Sequence, residues 1–194
     1  MGGTFAPPHK AHIRIAKTCL DYLELDKVLF MPNGQPPHKQ GEKVVSAEHR
    51  LNMTRLGIEK YNEFEICDIE VEAEGLSYSA DTLDRLHNLY KDCELFFIIG
   101  GDSLCEIESW YQPERILKST NIAVVSREGA DIEKQARYLT EKYGARIFIV
   151  PMENYDISST MVRNSLEKGL DISEYVDGKV LEYIKEHNVF GSEK

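Results

Sequence analysis

Two imidazoles three residues apart, His9 and His12, follow the turn-like stretch Gly2-Gly3-Thr4-Phe5-Ala6-Pro7-Pro8 and run straight into a helical pattern. Side chains at i and i+3 share a helix face, so both rings can meet one ligand. Glycine lets backbone approach that ligand closely, and a helix start offers free N–H groups to an anion. The chemistry this suits is the gripping of phosphate oxygens. Metal binding is the competing use of paired histidines, but no third ligand is placed nearby, which argues against zinc. Histidines satisfied by the backbone of a helix start remain the plainer alternative. A second cluster, Ile157-Ser158-Ser159-Thr160-Met161-Val162-Arg163, follows the same logic. Ser158 is a natural N-cap, leaving hydroxyls and N–H groups for an anion, and Arg163 lies one turn along with its fork of donors. Alone, this cluster reads equally well as capping plus a surface arginine.

These residues need a scaffold, and the pattern between them supplies one. Short β-type apolar runs occur at 27–32, 64–73, 94–100, 121–126 and 146–151. Helical patterns lie between them, at 11–23 with Ile13, Ala16, Leu20 and Leu23 on one face, at 46–60 with Ser46 as N-cap, and near 80–91, 131–143, 159–168 and 173–187. Alternation of this kind predicts an α/β fold with a parallel sheet covered by helices on both faces. Ligands of such sheets bind beyond the carboxyl ends of strands, where the strand order reverses. The second cluster follows a strand, as does the long Gly- and Pro-rich connection at 33–45, whose length suits a functional or mobile loop, with a plain surface excursion as the alternative.

The chain has 194 residues, 42% apolar and 29% charged, which suits one soluble domain, taken as 1–190 with a tail at 191–194. No apolar run is long enough for a membrane span and no secretory pattern opens the chain, so a cytoplasmic address without membrane attachment is expected. Cys19, Cys67, Cys93 and Cys105 are widely spaced and are expected to be reduced and mostly buried. A net charge of −10 argues against nucleic acid as partner, although a local cationic cluster can still hold a small anion. A homo-oligomer is left open.

The opening resembles the GGTFDPxHxGH signature of the nucleotidyltransferase superfamily, and residues 157–163 resemble its ISSTxxR motif. The middle of the chain narrows this further. Met31-Pro32-Asn33-Gly34-Gln35-Pro36-Pro37-His38-Lys39 is similar to the MPNxxPPHK loop of bacterial nicotinate-mononucleotide adenylyltransferases, and Ser46–Arg50 continues the likeness. Ser77-Tyr78-Ser79-Ala80-Asp81-Thr82-Leu83 resembles their SYTxDTL segment, Gly100-Gly101-Asp102 with Trp110 their GxD…W pattern, and Val125-Ser126-Arg127 their strand end and arginine. The resemblance covers residues 2 to about 190. It implies a Rossmann-like doubly wound sheet and transfer of the adenylyl group of ATP to nicotinate mononucleotide. Of the roles it implies, His9, His12, Lys39 and Arg163 are catalytic, and Gly3, Thr4, Phe5, Gly100, Asp102, Ile157, Ser158 and Ser159 join the two histidines and Arg163 in binding ATP. Asn33, Lys39, Ser79, Asp81, Thr82, Trp110 and Arg127 bind the mononucleotide, with Trp110 stacking on the pyridine ring. Mg²⁺ is implied as a phosphate-bridging ion that needs few protein ligands, so no metal site within the chain is expected.

Three departures from that pattern carry expectations. Ala6 stands where Asp or Asn is usual. Ala11 replaces the Gly between the histidines, and its methyl is expected to crowd the adenine side. The short apolar strand that precedes the Gly-Gly turn is absent from the sequence, which predicts a missing first strand in the sheet. Two alternatives stay open: the same chemistry on another acceptor, such as the amide or phosphopantetheine, and a non-catalytic nucleotide-binding module.

Overall fold

The computed structural model describes residues 1–35, 45–73, 75–126, 130–153 and 156–191. The chain alternates β1 (Gly2–Gly3), α1 (Lys10–Tyr22), β2 (Val28–Pro32), α2 (Ala47–Ile58), β3 (Phe64–Ile66), α3 (Ser79–Leu89) and β4 (Phe96–Gly100). It continues through α4 (Gly101–Glu106), a 3-10 turn (Ile107–Ser109), α5 (Pro113–Ser119), β5 (Asn121–Ser126), α6 (Ala130–Tyr143), β6 (Ile147–Pro151), α7 (Ser159–Glu167) and α8 (Gly178–Glu186). All ladders are parallel, in two three-stranded sheets of order β1-β2-β3 and β4-β5-β6.

Period-two alternation sends the strand side chains to two cores. Phe97, Ile99, Ile122 and Val124 face a cluster with α3, α4, α5 and α6, including fully buried Leu104, Leu117 and Leu139. Ile98, Ala123, Val125 and Val150 face the other side, with Phe5, Phe30 and the α1 residues Ala16 and Cys19. Burying each large side chain contributes roughly 1.5–3 kcal/mol. A third cluster joins α2, α7 and α8 through Met53, Val162, Val180 and Ile184.

The first strand is not missing but reduced to two residues. Gly2 and Gly3 pair in parallel with Met31 and Pro32, and their neighbourhood is laddered by Met31 N–H to the Met1 carbonyl (3.0 Å) and Asn33 N–H to the Gly3 carbonyl (2.9 Å). Ladder bonds are made by backbone, so glycine serves without a side chain. β4 lies on the other side of this stub, so β1 sits at the seam between the sheets, where the order reverses.

Three further expectations are corrected. The 64–73 run is a strand only to Ile66, because Cys67 N–H makes the last bond to β2 (Phe30 carbonyl, 2.8 Å) and the chain then turns, with Glu72 N–H on the Asp68 carbonyl. α5 has no counterpart among the expected helices, although Pro113 at its start fits a helix opening. Of the cysteines, Cys93 and Cys105 are exposed, Cys67 is half-buried and only Cys19 is buried; all four are free.

Candidate active site

A cleft of about 880 Å³ opens at the carboxyl ends of β1, β2 and β4. Its lining includes Gly3, Thr4 and His12 from the turn before α1 and the start of α1, Asn33 beside Gly3, and Ser79 and Trp110, with Gly100 between β4 and α4. The lining also takes in Met1, Ile15 and Val125, the last paired with Gly100 at the carboxyl end of β5.

The turn before α1 is tightly determined. A Cβ on Gly3 would lie 3.1 Å from the Phe5 ring, a tight contact that the buried ring would have to yield to. Phe5 itself is 1% exposed and holds φ at 49°, a conformation that costs a non-glycine residue on the order of 1 kcal/mol or more and persists where packing over-determines it. Its ring packs edge-on to His12 at 4.9 Å and against Phe30.

His9 and His12 stack at 3.7 Å. The backbone N–H of His9 donates to His12 Nδ1 at 3.1 Å, which fixes the neutral ring as the tautomer carrying its proton on Nε2. Burial lowers the His9 pKa to about 4, and burial together with neighbouring His9 holds His12 well below the ordinary histidine value. At neutral pH both rings are therefore uncharged hydrogen-bonding groups. His9 Nδ1 is buried without a partner.

The second cluster docks on this turn from about 150 residues away. Ser158 caps α7 by accepting from Met161 N–H, Ser159 Oγ donates to the Pro7 carbonyl (2.9 Å), and Arg163 Nη1 donates to the Ala6 carbonyl (2.8 Å). Arg163 Nη2 also reaches Thr160 Oγ1 at 3.1 Å, which leaves further guanidinium donors for an anion. Ile157 packs into the third core. Ala6 thus acts through its carbonyl, and Ala11 is buried and outside the cleft lining.

Trp110, also in the lining, is half-buried and sits edge-on to Phe97 at 6.3 Å. The N-cap of α3 is Tyr78, which makes no side-chain cap, so the N–H groups around Ser79 keep their capacity for an anion. Ser77 Oγ, also in the lining, is buried without a partner.

Several expected residues stand elsewhere. Thr82 is buried and gives its hydroxyl to Glu70 Oε1 (2.8 Å), so it supports the wall rather than lining it. Asp81 turns to Arg115 on α5 at 2.9 Å, outside the lining. Asp102 is exposed in the first turn of α4, also outside the lining, as are Phe5, His9, Ile157, Ser158, Ser159 and Arg163. Lys39 and Arg127 fall outside the described residues.

Sequence reasoning missed Glu70, Ser77, Tyr78 and Tyr111 in the lining; the rings of Tyr78 and Tyr111 meet at 4.4 Å. The signal for the tyrosines was present beside Ser79 and Trp110. Glu70 was hidden in an alternating acidic run that resembles a solvated strand face.

Comparison with known proteins agrees with this geometry. Residues 1–165 match the cytidylyltransferase-like family. A probable nicotinate-nucleotide adenylyltransferase of Clostridium botulinum (strain Alaska E43 / Type E3) is 37% identical over 196 residues, covering 100% of this chain and 97% of that protein. One from Carboxydothermus hydrogenoformans is 38% identical, covering 97% and 95%. In fold, the chain is similar to the Plasmodium falciparum nicotinic acid mononucleotide adenylyltransferase complexed with NaAD, with a TM-score of 0.80 at 19% identity, covering 97% of this chain and 94% of that one. The chain belongs to the nicotinate-nucleotide adenylyltransferase family, within the cytidylyltransferase-like group.

Proposed function

We propose that the chain transfers the adenylyl group of ATP to nicotinate mononucleotide and releases pyrophosphate, in the cytoplasm, as a step of NAD synthesis. The observation that carries this reading is the joining of two distant signature segments, Ser159 on Pro7 and Arg163 on Ala6, on the turn that brings Gly3, Thr4 and His12 to the cleft, with Trp110 and Ser79 at the uncapped start of α3 elsewhere in its lining. Phosphates suit the turn, and a planar ring bearing a carboxylate suits Trp110 and the start of α3.

In the reaction, an oxygen of the acceptor's 5′-phosphate forms a bond to the α-phosphorus of ATP as the bond to the bridging oxygen of pyrophosphate breaks. The nucleophile is already an anion, so no general base is required, and the protein works by positioning and by stabilising developing charge. His12 offers its Nε2–H to a phosphate oxygen. Arg163, with Lys39 from outside the described residues, supplies the fixed positive charge that the neutral histidines do not.

Mg²⁺ fits as an ion carried on the nucleotide. The residues around the turn before α1 are donors and imidazoles, and no three His, Cys, Asp or Glu gather as a metal site among the described residues. Phosphate oxygens and water would then hold it, and it would neutralise phosphate charge. Nor is any helix among the described residues long and apolar enough to cross a membrane.

Pyrophosphate release from ATP and Mg²⁺ tests the reading, with nicotinate mononucleotide, its amide and phosphopantetheine compared as acceptors. The carboxylate form should be preferred over the amide by at least about tenfold in kcat/KM, the worth of one charge-assisted hydrogen bond. Preference for phosphopantetheine would reassign the acceptor. ATP binding without turnover on any acceptor would leave a nucleotide-binding module.

A further inference from the structure

We propose that Arg50 is a positioning residue that holds the turn before α1 and the chain leaving β2 in a single geometry; its kinetic consequence rests on the adenylyl-transfer reading above. Arg50 lies in the first turn of α2 and is 1% exposed. Its Nε donates to the Val45 carbonyl at 3.0 Å. Nη1 donates to the Thr4 carbonyl at 3.2 Å and to Asn33 Oδ1 at 2.9 Å, and Nη2 donates to the Gly34 carbonyl at 3.0 Å. The four acceptors come from three segments: the turn before α1, the chain leaving β2, and the approach to α2. One planar group thus ties the backbone beside His12 to both ends of the connection at 33–45.

The network extends to the acceptor side through Glu70. This carboxylate accepts the Thr82 hydroxyl at 2.8 Å and the Gly34 N–H, and it is the opposite charge that acts on Arg50. Gly34 is therefore held from both sides, its carbonyl by Arg50 and its N–H by Glu70. There is no slack around it: a Cβ at residue 34 would sit 2.1 Å from the Glu70 carbonyl oxygen and 2.8 Å from Ser77 Oγ. Thr4, Asn33, Glu70 and Ser77 all line the cleft. With its Oδ1 committed to Arg50, Asn33 has its Nδ2 group to offer a ligand.

Stability alone is a poor account of this arrangement. Burying a guanidinium among neutral acceptors carries a desolvation penalty that an apolar side chain of similar volume would avoid. What the guanidinium adds is a rigid fork that fixes several acceptors at set angles, which lysine's single ammonium cannot reproduce. A misplacement of about 1 Å in a positioning shell can cost on the order of a hundredfold in rate.

Arg50→Lys and Arg50→Ala, compared with wild type, provide the test. In folded Arg50→Lys, kcat should fall at least about tenfold while KM for ATP moves less than about threefold, as expected for lost alignment rather than lost uniform binding. Hydrogen exchange at the Asn33 and Gly34 amides should quicken at least about tenfold relative to amides in the β4–β5 ladder. Millimolar guanidinium should restore part of the Arg50→Ala rate and leave wild type unchanged. Wild-type kcat and wild-type exchange in Arg50→Lys would overturn the proposal. So would a loss of rate that follows the unfolded fraction and resists guanidinium. Should Arg50→Ala not fold, Arg50→Lys decides. Should wild type turn over no acceptor, the adenylyl-transfer reading fails, and the exchange comparison still decides the positioning role.

Discussion

At the turn before α1, proposed above to meet phosphate, side chains of α7 bond to main-chain carbonyls, Ser159 to Pro7 and Arg163 to Ala6, and the groups left for a ligand are imidazoles and N–H donors. Around Trp110, proposed above for the acceptor, the lining is largely side chains, with Tyr78, Tyr111, Ser77 and Glu70, and it is braced by Thr82 on Glu70 and by Arg50 on Gly34. The difference follows from the ligands. A phosphate is recognised by directed donors, which a short glycine-bearing turn and a helix start provide within a dozen residues. A planar ring is recognised by shape, which must be assembled from several elements.

The comparison is broken most directly at His12. If the phosphate end works through its Nε2–H, His12→Ala should lower kcat/KM by about two orders of magnitude or more, the scale of a lost transition-state donor. An unchanged rate in a folded variant would remove His12 from the mechanism. Trp110→Ala is the counterpart at the other end. It should raise KM for the mononucleotide by about tenfold and leave KM for ATP nearly unchanged, because the lost contact is with one substrate only. Equal effects on both substrates would reduce Trp110 to a packing residue against Phe97.

Legibility in the sequence follows the same division. The phosphate end was readable because its residues are local: Gly3, Thr4, His9 and His12 sit within one turn and one helix start, and Ser158 to Arg163 within another. The strand and helix alternation was readable for a similar reason, since both sides of β4 and β5 are buried and their apolar runs are nearly continuous. Arg50 and Glu70 were not readable as a pair, because charged residues are ordinarily solvated and nothing local says that these two are buried together. The reduced β1 escaped for another reason. An apolar run was sought, whereas two glycines with Met1 beside them make the ladder bonds through backbone alone.

The two ends should also respond oppositely to pH. Burial holds His9 neutral in the fold down to about pH 4, whereas in the unfolded chain it takes up a proton near 6.5. Its contribution is therefore present above about pH 6.5 and is lost as pH falls toward 4, by on the order of 3 kcal/mol for this residue. Burial raises the pKa of Glu70, so its protonation favours the fold and that contribution is lost as pH rises through the carboxylate range. Melting temperatures across pH 4 to 7.5 separate the two. His9→Asn should flatten the acid-side fall, and Glu70→Gln should leave it in place. Parallel fall in wild type and His9→Asn would mean that the acid sensitivity lies outside His9.

The smallest effect is expected where motif and structure part company. Asp81 belongs to a segment whose likeness to relatives assigns it to the substrate, yet its carboxylate pairs with Arg115 on the outside of α3, with side-chain exposures of 53% and 37%. Arg115 also pairs with Asp84, so removing Asp81 leaves the cation compensated. Exposed pairs of this kind contribute roughly 0–1 kcal/mol. Asp81→Asn should accordingly shift the melting temperature by a few degrees at most, and kcat and both KM values should stay within about twofold of wild type. Its neighbour gives the contrast: Thr82→Val removes the hydroxyl that Glu70 accepts and should loosen the braced wall, although Thr82 lines the cleft no more than Asp81 does. A change beyond about tenfold in mononucleotide KM for Asp81→Asn, with ATP unaffected, would return Asp81 to the acceptor end. That result would show that α3 presents a different face to the cleft when the acceptor is bound.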